Sequence, residues 1–175
     1  SYAHSPEYEL EAGGPPAVES TASPMYTEDE IEQLVELRFE LGHVCKHHLG
    51  AHDQAITSFG VVMRMRPNEE RAVTELEDYF RQGEPYAVPV ATILEPVHEV
   101  HGRWHDLIRC LRVLAEDADT TEEKVSIHER IGSLYVEETG EPKLGFSAYG
   151  DALRLEPDHP AVRQKLSMLA DALVA

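Results

Sequence analysis

Ten histidines in a chain of 175 residues make metal binding the first chemistry to weigh. His43, Cys45, His47, His48 and His52 crowd one stretch, and His98, His101 and His105 another. His43 and His47 stand one helical turn apart, so both imidazoles leave the same face, a spacing that ligates zinc. His48 and His52 flank the turn at Gly50. Neither stretch contains HExxH or CxxC. Both fall at helix ends, where a histidine also suits the negative pole of the helix dipole. No metal ligand set is therefore assigned from the sequence. A histidine-cluster metal-binding or metal-sensing helical protein stands as the alternative reading.

The other chemistries are thinner still. Acidic pairs recur at Glu28-Asp29, Glu116-Asp117, Glu122-Glu123 and Glu137-Glu138. Catalytic carboxylates need a dry pocket that sets their pKa values apart, and helix starts and solvated faces do not supply one. There is no GxSxG, no phosphate-binding glycine loop and no cysteine–histidine nucleophile pattern. No catalytic residue and no cofactor are expected, and the chain does not read as an enzyme. Cys45 and Cys110 read as small core residues rather than a disulfide.

The formal charge of −18 and a pI near 4.8 argue against nucleic acid and anionic membranes as partners. They favour a protein partner with a basic face or peptide. No apolar run is long enough to span a membrane, and no signal peptide is visible. A cytoplasmic location is the expectation, although a chain that starts at Ser1 leaves the true N-terminus open.

Positioning these residues falls to helices. Residues 1–26 are rich in Ser, Pro, Gly and Glu and read as an extended or disordered tail, with Tyr2, Tyr8 and Leu10 as its possible anchors. The domain spans residues 27–175. Thr27 with Glu30, and Thr120 with Glu123, have the spacing of capping boxes. Glycines and prolines between apolar runs of helical period divide the rest into about eight helices, with Pro96 expected to kink the fourth. No strand is expected.

A segment then repeats. Residues 41–67 recur ninety positions later, without a gap, as residues 131–157. Gly42 matches Gly132, Gly50 matches Gly140, Phe59 matches Tyr149, Gly60 matches Gly150, Arg64 matches Arg154 and Pro67 matches Pro157. Mid-helix glycine costs about 1 kcal/mol against alanine, so Gly60 and Gly150 predict close packing against a neighbouring helix or against the tail. Repetition points to a stacked array rather than a globule around one pocket.

Each copy places Leu-Gly or Ile-Gly on a first helix. The second helix follows with small, aromatic, small and proline positions: Ala55, Phe59, Val62 and Pro67, then Gly145, Tyr149, Ala152 and Pro157. Tyr135 adds an aromatic to the first helix of the later copy. This pattern resembles the tetratricopeptide repeat, in the divergent form of long bacterial arrays. Both copies carry one extra residue in the turn, and Arg38 and His128 replace the usual tryptophan. Residues 97–114, with Gly102, Arg103, Trp104, Leu107 and Leu111, form a more degenerate third unit.

The resemblance implies an all-α, right-handed solenoid of antiparallel helix hairpins that acts as an interaction module, scaffold or complex subunit. It places Glu36, Phe39, His43, Lys46, His47, Glu95, His98, Glu99, Glu129, Ser133 and Glu137 on a concave, partner-binding face. The Lys, Asn and Arg that grip a C-terminal carboxylate in some members are missing, so a chaperone-tail clamp is not implied. Apolar Leu166, Met168, Leu169, Leu173 and Val174 on the last helix suggest stacking on a further repeat or subunit.

Overall fold

The threonines that read as caps are caps. In the computed structural model, which describes residues 26–174, the Glu30 carboxylate accepts from the Thr27 amide at 2.7 Å and Thr27 Oγ1 accepts from the Glu30 amide. Thr120 and Glu123 repeat the arrangement. Each box satisfies amides that a helix start leaves without partners. The helices are α1 (Glu28–Val44), α2 (His52–Met65), α3 (Glu70–Gln82), α4 (Ala87–Val100), α5 (Trp104–Asp117), α6 (Thr121–Glu137), α7 (Pro142–Leu155) and α8 (Pro160–Val174). The described residues contain no strand, so the fold is all-α. The expected tail, Tyr26 excepted, lies outside the described residues. α4 runs unbroken through Pro96.

The duplication is visible at the level of single atoms. A methyl group on Gly42 would sit 2.7 Å from a ring carbon of Phe59, and one on Gly132 would sit 2.5 Å from a ring carbon of Tyr149. The aromatic of the second helix thus lies directly on the glycine of the first, in both copies. Gly145 brings α6 and α7 equally close, its missing methyl meeting Val136 at 2.5 Å. Gly50 and Gly140 end the first helices with φ of +62° and +68°, a left-handed conformation that glycine adopts at little cost.

The turns after α1 and α6 share a wide backbone bond. After α1 the chain makes a π-helical turn, Cys45–Leu49, and the Ala51 amide reaches back six residues to the Cys45 carbonyl at 2.9 Å. The Glu141 amide bonds the Tyr135 carbonyl in the same way at 2.7 Å. At the intervening α4–α5 turn the corresponding bond, Arg103 to His98, spans only five residues.

Gly60 and Gly150 part company. The methyl missing from Gly60 would meet Ile93 of α4 at 3.0 Å, as close packing requires, while no described residue lies within 4 Å of the same position on Gly150. The expectation therefore holds for Gly60, and at Gly150 no described helix meets it; the tail lies outside the described residues. The α2 face at Gly60 is covered by α4; no described helix stands in that relation to α7.

Three apolar clusters run through the structure. One joins α1 to α4 around Phe39, Phe59, Leu76, Tyr79 and Leu94. The second joins α5, α6 and α7 around Leu107, Leu111, Ile131 and Ala148. The third joins α6, α7 and α8 around Val125, Tyr149, Val162 and Leu169. Trp104 packs half-buried against the second cluster. Cys45 and Cys110 are free and buried, and burial pushes the Cys110 thiol up to about 12. Each helix packs on the next in sequence, and α2 also packs on α4. Among the described residues, no substantial contact joins helices more than two apart. No described helix is long and apolar enough to cross a membrane.

Candidate functional site

The polar residues expected on one face fall into groups tied together by ion pairs between helices. The first group joins α1 to α3. Arg71 donates to Glu36 at 2.8 Å, and its guanidinium lies 4.4 Å from the centre of the Phe39 ring. Lys46 sits between two carboxylates, Glu75 at 2.8 Å and Asp78 at 2.7 Å. His43 and His47 stack with ring centres 4.4 Å apart, and His47 Nε2 is 3.4 Å from both Glu75 oxygens. Arg71, Glu75 and Asp78 lie at i, i+4 and i+7 on α3, so one stripe of that helix receives them all.

The second group joins α3, α4 and α6. His98 Nε2 faces Glu77 at 3.0 Å. Arg130 spans two turns of α4, meeting Glu95 at 2.5 Å and Glu99 at 2.9 Å. The third joins α6 to α8, where Lys165 meets Glu129 at 2.8 Å and Ser133 Oγ at 3.2 Å. Glu137 is exposed at the end of α6. Polar links therefore lead from α1 to α3, α3 to α4, α4 to α6 and α6 to α8.

Two expected surface residues are not surface residues. Phe39 is 8% exposed and belongs to the α1–α4 core, and His98 is 1% exposed beneath α3. Helical spacing places both on a face; it does not show that α3 closes over that face. Lys46 is likewise enclosed, with only 8% of its side chain exposed.

The electrostatics follow from these pairs. The hydrogen bond from Arg71 holds the Glu36 carboxyl below its ordinary value. His98 does the same for Glu77, and Lys46 for Asp78. Burial pushes the Glu75 carboxyl up, but the hydrogen bond and charge of Lys46, with His47, outweigh it and leave it low. Glu129 raises the Lys165 ammonium.

The expected histidine clusters disperse, with one exception. His52 faces the Tyr79 hydroxyl at 3.0 Å, His101 the Val97 carbonyl at 2.7 Å and His105 Glu141 at 2.9 Å. His43 and His47 stay together and gain Glu75, with one ligand atom of each within 4.8 Å of the others. The sequence could not supply Glu75, which lies 28 residues from His47. It also missed Arg71, Arg130 and Lys165 as the cations that tie the helices, because a period reveals faces and not their partners.

A groove of about 410 Å³ lies between α2 and α4, lined by Gly60, Met63, Arg64, Ile93, Pro96 and Val97. It holds no carboxylate, histidine or cysteine. No protein-family model and no curated protein matches the chain.

Proposed function

We propose that the chain is a non-enzymatic interaction module, a right-handed α-solenoid of the tetratricopeptide type. In this reading it binds a basic, extended or helical segment of a partner protein along α1, α3, α4, α6 and α8. One observation carries the reading: polar links pass from helix to helix across these five elements, and helices more than two apart share no substantial contact among the described residues. A stack of repeats has that pattern of contacts, and a closed bundle brings its first and last helices together. The twofold recurrence of the glycine–aromatic contact supports the same reading.

The charge of −18 gives the surface its preference for cationic segments, chiefly through steering and register. Glu36, Asp78, Glu99 and Glu137 are carboxylates on this strip with exposed area to offer. Exposed Met168, Leu173 and Val174 on α8 support stacking of that end on a further helix or subunit.

Fluorescence anisotropy with labelled Lys/Arg-rich and Asp/Glu-rich peptides tests the proposal. The basic peptide should bind, with Kd rising about tenfold between low and moderate salt, and the acidic peptide should not. Equal binding of both peptides, or a salt-independent Kd, contradicts it.

A further inference from the structure

We infer that His43, His47 and Glu75 form a binding site for a divalent transition ion of borderline softness, zinc above all. Two imidazoles and one carboxylate are the donor set of zinc sites that keep one position open. The geometry is close to what the ion needs. Bonds of about 2.0–2.1 Å in a tetrahedron set ligand atoms about 3.4 Å apart. His47 Nε2 already stands 3.4 Å from the Glu75 carboxylate, and all three ligand atoms lie within 4.8 Å of one another. A small swing of the half-buried His43 ring closes the remainder.

The carboxylate is held for the purpose. Lys46 Nζ donates to Glu75 Oε2 at 2.8 Å, while His47 Nε2 stands 3.4 Å from both oxygens, so Oε1 keeps a lone pair for an ion. Such outer partners fix the orientation of a ligating group. Lys46 brings one positive charge against Glu75 and Asp78 together, so an added cation meets no surplus of positive charge.

The second copy of the repeat is the internal control. Ninety residues on, His43 becomes Ser133, His47 becomes Glu137 and Glu75 becomes Lys165. There the α6–α8 junction is closed by Lys165, bonded to Ser133 at 3.2 Å and to Glu129 at 2.8 Å. The junction as such needs no histidine. In the first copy the same three positions all carry metal-ligating side chains, converging from two helices. A bound ion would tie α1 to α3.

Calorimetric titration of the whole chain with zinc chloride near neutral pH, with magnesium as control, tests the site. One zinc per chain should bind with Kd in the micromolar range or tighter, thermal stability should rise, and magnesium should do neither. The double variant H43A/H47A should weaken zinc by at least about tenfold, and H101A/H105A should leave it unchanged. His47→Gln, at an exposed position, is the second variant should the double one fold poorly. No binding up to about 1 mM zinc, or undiminished affinity in H43A/H47A or H47Q, overturns the inference.

Discussion

Adding one methyl group should destabilise at Gly42 and Gly132 and stabilise at Gly150. Helix propensity alone favours Gly→Ala by about 1 kcal/mol at each mid-helix site. At Gly132 the methyl would fall 2.5, 2.6 and 2.9 Å from three ring carbons of Tyr149. That ring cannot swing aside: it is 3% exposed, and its hydroxyl meets Ser133 Oγ at 3.1 Å. Overpacking a filled core costs about 1–3 kcal/mol, and three simultaneous clashes fall toward the upper end. Gly132→Ala should therefore destabilise by about 1–2 kcal/mol net. Gly42→Ala, against a fully buried Phe59, should do the same. At Gly150 no described residue opposes the methyl within 4 Å, so the substitution should stabilise by about 1 kcal/mol. Gly60→Ala meets only the flexible tip of Ile93 at 3.0 Å and should be near neutral. Gly132→Ala and Gly150→Ala should then differ in Tm by roughly 5–10 °C for a domain of this size. Thermal and urea denaturation followed by far-ultraviolet circular dichroism reads this directly. A Gly132→Ala protein as stable as the parent would refute the packing argument, and a destabilised Gly150→Ala would show that something covers α7.

Further expectations follow from the caps, the ion pairs and the modular contacts. Thr120→Ala should lose about 1 kcal/mol by urea denaturation, because the Glu123 amide loses its acceptor. Lys46→Met should lose about 1–3 kcal/mol, leaving Glu75 and Asp78 side by side, and Glu75→Gln in the same chain should recover part of the loss. Glu36, Glu75 and Glu77 all have carboxyls held below 4.5 in the folded state, so their contribution is complete above that value and fades as pH falls through the lower folded values. Tm should hold steady from neutral pH to about 5 and drop below that, and a Tm that rises on acidification would contradict the pairing. In native-state hydrogen exchange, Gly132→Ala should loosen α6 and α7 while α1 and α2 keep their protection, since stacked units feel chiefly their neighbours; uniform loss of protection would speak for one closed core.

What the residues disclose by themselves is local and periodic. Thr27 and Thr120 declare their helices because a cap and its N3 glutamate act within one turn. Phe59 and Tyr149 could be matched because each copy must fill the same gap over Gly42 or Gly132. Burial across helices was not readable. His98 has the spacing of a surface residue and is covered by α3, and Gly150 copies Gly60 without copying its neighbour. Arg71 reaches Glu36 across 35 positions and Arg130 reaches Glu95 across the same interval. Such pairs depend on how hairpins stack, and no spacing within one helix encodes them.

The central claim is that cationic protein segments are received on the strip formed by α1, α3, α4, α6 and α8. Amide chemical shifts of the isotope-labelled chain, followed during titration with a Lys/Arg-rich peptide, test it most directly. Changes concentrated on those five helices, and reversed by added salt, are the predicted result. Changes centred on α2, α5 and α7, or unmoved by salt, would contradict it.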